Sequence, residues 1–154
     1  MILYFFIVTF GSADESVMQK LSPQETLKVL ETLKDKAIVF GDGESEIHTF
    51  IDPYCELSQR YLSFIFAQQE RMFKKYKFYF YLYELPGKNS SQVIEQILSL
   101  ELKDVALKSV MLQHQQLCET GEGDSQEAIN SINAAAQTIG VFKRPYIIIN
   151  GKVK

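Results

Sequence analysis

The spacing of apolar residues divides the chain after residue 20 into short β-rich runs and amphipathic helices. A first helix is predicted to begin at Ser22, because this capping residue is followed by Pro23 at the first helical position and Glu25 at the third. The helix is expected to end before Asp35. Its apolar face consists of Leu27, Leu30 and Leu33.

Two β-rich runs, at residues 37–40 and 46–51, flank the sequence Gly-Asp-Gly at residues 41–43, and this arrangement predicts a β-hairpin. The second run continues directly into a turn that ends at Cys55. Apolar residues at helical spacing over residues 56–75 then predict one amphipathic helix, with Cys55 at its N-terminal edge.

Residues 78–84 carry aromatic or apolar side chains on both faces of an alternating pattern, which is typical of a central strand covered by helices on each side. The sequence Leu-Pro-Gly at residues 85–87 ends this strand. The polar, glutamine-rich stretch of residues 90–118 predicts two helices with a break at residues 100–103.

A last helix and a closing hairpin follow. A capping box at residues 124–127 predicts a helix that continues to Gly140, a residue suited to the C-terminal cap. Pro145 introduces a strand at residues 146–149. The dipeptide Asn-Gly at residues 150–151 predicts a two-residue turn into a short returning strand.

The order of these elements predicts a mixed α/β sheet, because a helix after the first hairpin implies a crossover to a parallel strand. The chain has 154 residues, of which 46% are hydrophobic and 23% charged, which suits one globular domain. This composition excludes collagen, coiled-coil rods, extended disorder and a protein with several membrane spans. The net charge of −3 gives no general electrostatic reason to bind nucleic acid or anionic lipid.

The N-terminus has the features of a secretory signal. Residues 1–10 are apolar except for Thr9, and they are followed by Gly-Ser-Ala at residues 11–13. Residues 1–13 are therefore interpreted as a signal peptide and residues 14–36 as an N-terminal helix and linker. Because no Lys or Arg precedes Lys20, an N-terminal strand is the alternative interpretation.

Two cysteines, Cys55 and Cys118, exclude a Cys-rich scaffold and a Cys-only zinc site. The spacing of these cysteines relative to His48 and His114 is irregular, so no metal site is expected. The chain has no Walker loop, dinucleotide-binding fingerprint or Ser-His-Asp signature, and no cofactor is expected.

The sequence FIDPYCELS at residues 50–58 resembles the active-site segment of bacterial periplasmic thiol-disulfide proteins of the thioredoxin superfamily. It is most similar to the catalytic domain of the disulfide isomerases DsbC and DsbG, where Phe-Thr-Asp and one further residue precede a Cys-x-x-Cys helix. The similarity continues to residues 139–141 and to Arg144 and Pro145, where the family has Gly-Val, a short spacer and a cis-proline. It covers about two thirds of the chain.

The resemblance implies a thioredoxin-like domain at residues 37–154, with a helical insertion between the central strand and the cis-proline hairpin. It implies thiol-disulfide exchange with protein or peptide substrates in the bacterial periplasm or another exported location, with Cys55 as the nucleophile. It also implies a fuller last strand and a closing helix after Val153, so the chain is expected to be a fragment or a trimmed version of the family domain.

Ser58 is the first departure from the family, because it stands where the second active-site cysteine is expected. A Cys-x-x-Ser site keeps the attacking thiol and lacks the nearby thiol that resolves a mixed disulfide. The helix N-terminus is expected to stabilise a thiolate at Cys55, whereas the Glu56 carboxylate is expected to destabilise this thiolate. The Ser58 hydroxyl is a candidate hydrogen-bond donor to the thiolate. We expect a monothiol site, less acidic than the family's dithiol sites, whose mixed disulfides persist without an external thiol or reductant.

Arg144 is the second departure, because the family more often has a small residue before its cis-proline. The resemblance implies that Arg144 and Pro145 present backbone groups to an extended substrate, and Tyr54 is a further candidate for substrate binding. The Arg144 cation would also favour a thiolate at Cys55. An ordinary trans peptide at the start of a strand is the alternative interpretation.

Several alternatives are open at this stage. Cys118 is expected to pack in the interior, as most free cysteines do, and the alternative is a role as a distant resolving thiol. A disulfide between Cys118 and Cys55 requires Cα atoms within about 7 Å of each other. Cys55 itself is either a reactive thiol or a small buried hydrophobe. Ser58 either belongs to the natural sequence or replaces a second cysteine. The chain is therefore a thiol-disulfide enzyme or a redox-inactive peptide-binding or chaperone-like module with the same fold.

Overall fold

The computed structural model of the chain describes residues 20–118 and 120–154. The predicted signal peptide lies outside the described residues. Within these residues, no helix is both long and apolar enough to cross a membrane. The helices are α1 (Pro23–Leu33), α2 (Glu56–Ala67), α3 (Gln69–Lys75), α4 (Ser91–Ser99), α5 (Lys103–Gln113) and α6 (Ser125–Ile139), with a 3₁₀ turn at Lys34–Lys36. The strands are β1 (Ile38–Phe40), β2 (Ser45–Ile51), β3 (Tyr76–Leu82), β4 (Tyr146–Ile149) and β5 (Lys152–Val153).

The five strands form one sheet in the order β1-β3-β2-β4-β5. Strands β2 and β3 are parallel, whereas the other three neighbouring pairs are antiparallel. The predicted mixed α/β sheet is therefore confirmed. Strand β2 occupies the middle position, so the predicted central strand, β3, lies one place to its side.

The predicted hairpin between β1 and β2 is wrong, because β3 lies between these two strands. The intervening loop passes over the start of β3 instead of making a tight turn. The Asp42 and Gly43 N–H groups both donate to the Phe73 carbonyl, at 3.0 and 3.1 Å. A Cβ atom on Gly43 would lie 2.1 Å from the Lys75 carbonyl carbon, so this close crossing requires glycine.

Strand β3 is buried on both faces, as its aromatic pattern predicts. On one face, Phe80 contacts the ring of Tyr61 from α2, with ring centroids 6.4 Å apart. On the other face, the Lys34 ammonium at the end of α1 lies 5.5 Å from the centre of the Tyr79 ring. The sheet is therefore covered by helices on both sides.

The predicted helix over residues 56–75 is divided at Gln68, whose φ of −121° is not helical. The division turns α3 so that the Phe66 and Phe73 rings meet edge-on, with centroids 5.3 Å apart. Both rings also contact Phe40 from β1. The break at Gln68 therefore allows two aromatic rings of the segment to pack together against Phe40.

The other helix boundaries follow their local signals. The Ser22 capping box is present at the start of α1, and the predicted break between α4 and α5 is confirmed. Asp124 caps α6 by accepting from the backbone, but Glu127 binds Lys36 at 2.8 Å instead of completing a capping box. Gly140 ends α6 with a φ of +88°, as predicted.

The closing hairpin between β4 and β5 is also confirmed. Asn150 and Gly151 both have positive φ values, +52° and +75°, which is the geometry that an Asn-Gly turn provides.

Candidate functional site

Cys55 lies at the junction between the middle strand of the sheet and α2. It is the N-terminal cap residue of α2, and its N–H donates to the Asp52 carbonyl at 3.0 Å, closing the turn that follows β2. The residue is only 5% exposed. Cys55 therefore lies at the positive end of a helix.

The structure brings the segment around Pro145 directly to this cysteine. The Arg144–Pro145 peptide bond is cis, as the resemblance implies. The Cys55 thiol donates to the carbonyl oxygen of Arg144, with a sulfur-to-oxygen distance of 3.7 Å. Three of the residues predicted for the site, Cys55, Arg144 and Pro145, are thus neighbours although 89 residues separate the first two.

The Arg144 side chain is buried and binds backbone carbonyls at the end of β3. Its Nε and one Nη donate to the Tyr83 and Glu84 carbonyls, each at 2.8 Å, and the other Nη donates to the Lys143 carbonyl at 3.0 Å. The guanidinium also lies 3.9 Å from the centre of the Tyr83 ring. Arg144 therefore fixes the cis-proline segment to the sheet, a role that was not expected from the sequence.

The charge of Arg144 is costly in this environment. Burial lowers the pKa of Arg144, and this effect is partly offset by hydrogen bonding and charge interaction with Tyr83 and by charge interactions with Asp52 and Cys55. The predicted cation near Cys55 is thus present in the site, with its N–H groups directed to carbonyl oxygens.

Asp52 is a buried carboxylate that connects the Cys55 turn to a distant loop. One of its oxygens accepts from the Tyr54 N–H at 2.8 Å. The other accepts from the Ser90 hydroxyl at 2.8 Å and from the Leu85 N–H. The bond to the Tyr54 N–H could have been predicted from the sequence, because an Asp at the start of a turn commonly binds the N–H two residues later. No sequence pattern near Asp52 predicts its hydrogen bonds to the distant loop.

Ser58 is fully buried, and its hydroxyl accepts from the Asp52 N–H at 3.3 Å. Among the hydrogen bonds of the described residues, none joins Ser58 to Cys55. The serine therefore supports the turn on which Cys55 lies, and its predicted role as a thiolate partner stays a prediction.

Glu56, which was expected to oppose a thiolate at Cys55, forms an ion pair with Arg60 one helical turn later. The oxygen-to-nitrogen distance is 2.7 Å, and both side chains are exposed. Arg60 therefore offsets part of the unfavourable charge that Glu56 brings to the start of α2.

Tyr54 is 47% exposed beside Cys55 and forms part of the wall of a cleft of about 530 Å³. The structure thus leaves its side chain accessible to a substrate, which is compatible with the predicted role without testing it.

Cys118 is exposed, so the prediction that it packs in the interior is wrong. Helix α5 ends at Gln113, and His114 has a left-handed backbone with a φ of +54°. The segment that follows has no regular structure, and its side chains from His114 to Gln116 are exposed. Both cysteines are free thiols in this structure.

His48 is buried in the sheet, and its Nε2 lies 3.5 Å from a carboxylate oxygen of Glu46. Its Nδ1 lies 2.9 Å from the Tyr81 hydroxyl, and its ring stacks on Tyr79 with centroids 4.8 Å apart. Burial lowers the pKa of His48, partly opposed by Glu46. Within the described part of the chain, no group of three or more His, Cys, Asp or Glu side chains could hold a metal ion.

No protein-family model and no curated protein sequence matches the chain. Several solved structures are similar to it. ScsC of Proteus mirabilis in a compact conformation has a TM-score of 0.67 and 15% identity, covering 89% of this chain and 75% of that one. A periplasmic thioredoxin-like protein from Salmonella enterica serovar Typhimurium has a TM-score of 0.63 and 15% identity, covering 87% and 88%. The thiol-disulfide exchange protein alpha-DsbA2 from Wolbachia pipientis has a TM-score of 0.57 and 17% identity, covering 85% and 88%.

These similarities extend over most of each chain. The predicted thioredoxin-like fold, with its helical insertion between β3 and the cis-proline segment, is therefore confirmed.

Proposed function

We propose that this chain carries out thiol-disulfide exchange on protein or peptide substrates through the single active-site cysteine Cys55. The observation that carries the proposal is the 3.7 Å contact between the Cys55 sulfur and the carbonyl of Arg144, at the cis-proline and at the N-terminus of α2. A buried cysteine with a purely structural role needs neither the helix N-terminus nor an adjacent cis-proline segment.

The structural neighbours support the same chemistry and an exported location. One of them is described as a thiol-disulfide exchange protein and another as a periplasmic thioredoxin-like protein. Together with the signal-like sequence of residues 1–13, these descriptions support export to a compartment in which protein disulfides form. A bacterial periplasm fits both observations.

The first chemical step is attack by the Cys55 thiolate on one sulfur of a substrate disulfide. The substrate S–S bond breaks, a new S–S bond joins Cys55 to the substrate, and the second substrate sulfur leaves as a thiolate with the bonding electron pair. Ser58 cannot attack the mixed disulfide, because exchange requires a thiolate. Another thiolate, from the substrate, from an external thiol such as glutathione or from Cys118, must therefore release Cys55.

This requirement favours isomerisation, in agreement with the resemblance of residues 50–58 to the disulfide isomerases DsbC and DsbG. When another thiolate of the same substrate attacks the mixed disulfide, one substrate disulfide has replaced another and Cys55 is free again. The numbers of disulfides and thiols are unchanged, so the reaction needs no net oxidant or reductant.

The cis-proline segment is proposed as the platform for the substrate backbone, with Tyr54 at its side. In the free protein the Arg144 carbonyl accepts from the Cys55 thiol. When Cys55 ionises, this donor is lost and the carbonyl becomes available to an N–H group of an extended peptide.

Cys118 is a candidate second thiol, because it is exposed and free. Its role is tested by mass spectrometry of the isolated protein with and without reductant. A peptide joined through Cys55 and Cys118 would identify Cys118 as the resolving thiol, and its absence under oxidising conditions would exclude that role.

A binding or chaperone-like module is the second candidate function, and the burial of Cys55 favours it, since only 5% of the residue is exposed. Refolding of a scrambled disulfide protein, with and without glutathione, distinguishes the two functions. We expect Cys55→Ala to abolish the catalysed refolding, and the refolding rate of Cys118→Ala measures any contribution of the second thiol. If wild-type protein gives no turnover and Cys55→Ala retains full peptide binding, the binding function is correct.

A further inference from the structure

The cleft beside Tyr54 is lined by an unusual set of side chains. It lies between the start of α2 and the helical insertion, and it has a volume of about 530 Å³. Five of its lining residues are glutamines, and none of the described lining residues is Lys, Arg, Asp or Glu. The glutamines are Gln59, Gln92, Gln96, Gln115 and Gln116.

Four of these carboxamides are available to a ligand. Gln59 donates to the Pro53 carbonyl at 2.8 Å, which holds its side chain against the Cys55 turn. For the side chains of the other four glutamines, no hydrogen bond to another described residue is present. Each carboxamide can both donate and accept, as the backbone amides of an extended polypeptide do.

Apolar groups lie beneath these amides. Val93 of α4 and Val110 of α5 line the cleft, and both are buried. A charged side chain placed here would lose part of its water and, apart from the His114 imidazole and the Tyr54 phenol, would face no titratable side chain among the described lining residues, which is unfavourable. Uncharged peptide segments, whose amides pair with carboxamides and whose small side chains contact the valines, suit the cleft better.

The cleft is adjacent to the proposed nucleophile. Tyr54 precedes Cys55 in the chain, and the Gln59 N–H donates to the Cys55 carbonyl at 3.0 Å. A polypeptide whose cysteine reaches Cys55 would therefore have neighbouring residues within reach of the glutamines.

We propose that this glutamine-lined cleft is a substrate subsite that binds an extended, uncharged segment of the polypeptide whose disulfide reacts with Cys55. The inference rests on the proposed function and adds a preference for uncharged flanking sequence. The 2.8 Å hydrogen bond from the Gln59 side chain to the Pro53 carbonyl links the subsite to the turn that carries Cys55.

The test uses the full chain with Cys118→Ser, so that Cys55 is the only thiol. Its reaction is followed with short peptides in which one cysteine carries a 2-nitro-5-thiobenzoate group. Attack by Cys55 joins its sulfur to the peptide cysteine and releases the coloured thiobenzoate thiolate with the electron pair. Three peptides differ only in their flanking residues, which are glutamine and alanine, glutamate, or lysine. An activated N-acetylcysteine amide serves as a probe without a peptide.

The cleft is altered by Gln92→Glu together with Gln116→Glu, one on α4 and one on the segment after α5, both exposed and both nearly unchanged in size. The matched control is Gln69→Glu together with Gln126→Glu, which adds the same charge at exposed positions of α3 and α6, outside this cleft. Circular dichroism checks that each variant is folded.

We expect the unaltered cleft to react fastest with the uncharged peptide. In the cleft variant, the rate with the lysine peptide relative to the glutamate peptide should rise by about tenfold at low salt, while the rate with the small probe is unchanged. The control variant should leave the relative rate within about twofold of its starting value. An equal change in both variants, or no change in either, would overturn the subsite.

Failure of the proposed function gives a different result. If Cys55 does not react with the small probe, the exchange chemistry is wrong, and the subsite is then judged from binding alone. Fluorescein-labelled peptides with Ser in place of Cys are titrated with the same proteins, and fluorescence anisotropy is measured. Binding of the uncharged peptide that the cleft variant weakens and the control variant does not supports the subsite; equal binding by all proteins, or none, overturns it.

Discussion

The sulfur of Cys55 lies 3.7 Å from the carbonyl oxygen of Arg144, so a helix N-terminus and a cis-proline segment meet at one thiol. The Arg144 side chain donates hydrogen bonds to the backbone carbonyls that follow β3. Arg144 thus presents its backbone carbonyl to the Cys55 thiol and uses its side chain to fix that backbone in place.

Replacing Arg144 with Lys should therefore destabilise the protein, because an ammonium cannot reproduce the bonds of the guanidinium to the Tyr83 and Glu84 carbonyls. We expect a loss of about 2–4 kcal/mol in the free energy of unfolding, measured by urea denaturation. The rate at which Cys55 forms a mixed disulfide with a peptide should fall as well. Lys143→Ala, in the neighbouring position, is the control and should change stability by less than about 0.5 kcal/mol. Wild-type stability and rate in Arg144→Lys would show that the guanidinium does not hold the segment.

Asp52→Asn should destabilise the turn that carries Cys55. The carboxylate accepts from the Tyr54 N–H, the Leu85 N–H and the Ser90 hydroxyl, whereas an amide nitrogen cannot accept from any of them. We expect a loss of about 2–3 kcal/mol at pH 7, and about 1 kcal/mol for Ser90→Ala.

A double-mutant cycle with both substitutions measures the coupling between Asp52 and Ser90. Because the two side chains share one hydrogen bond at 2.8 Å, their effects should not add. Strict additivity would contradict a direct bond.

Ser58→Cys should convert the site to a dithiol. On oxidation we expect a disulfide between the new thiol and Cys55, detected as two fewer alkylated thiols by mass spectrometry, and release of mixed disulfides without external thiol. The loss of the Ser58 acceptor for the Asp52 N–H should reduce stability by about 1–2 kcal/mol.

Ser58→Ala provides the comparison for this substitution. It should lose similar stability for the same reason, because the Asp52 N–H is again left without its acceptor, and it should not form the disulfide. A Ser58→Cys protein that keeps both thiols free under oxidising conditions would show that the second position cannot reach Cys55.

The pH dependence of stability should contain a contribution from His48. Burial lowers the pKa of His48 in the folded protein below the unfolded value of about 6.5. As the pH falls, His48 therefore takes up a proton in the unfolded chain before it does so in the folded protein. The contribution of His48 to stability is complete above about pH 6.5 and is lost as the pH falls from there towards the folded pKa. The slope should approach about 1.4 kcal/mol per pH unit at most.

The comparison of wild type with His48→Gln isolates this effect. Urea denaturation between pH 7.5 and pH 5 should give a shallower loss of stability in the variant. His114→Gln, at an exposed position after α5, should follow the wild-type curve. An identical slope in wild type and His48→Gln would exclude the buried histidine as the cause.

The elements that the sequence predicted correctly depend on signals within a few residues. Ser22 caps α1 together with its neighbours Pro23 and Glu25. The turn at Asn150 and Gly151 is predicted from these two residues alone. The resemblance of residues 50–58 then located the site at Cys55, and it led to the cis bond before Pro145.

The errors concern partners that lie far away in the chain. The glycines at residues 41 and 43 indicate a reversal of the chain, but no residue near them predicts that β3 will lie between β1 and β2. Asp52 binds residues 33 and 38 positions away, which no local pattern encodes. Cys118 is exposed, and the residues near it in the sequence do not determine whether it is buried.

The place of β3 between β1 and β2 also has a consequence for synthesis on the ribosome. Both β1 and β2 emerge before β3, so neither has its sheet neighbour until residue 82 has left the exit tunnel. Their unpaired edges and apolar faces are exposed to other chains during that interval. A chaperone that covers these edges would therefore protect the growing chain, and substitutions that increase the apolar character of β1 would lower the yield of the protein before they affect its folded state.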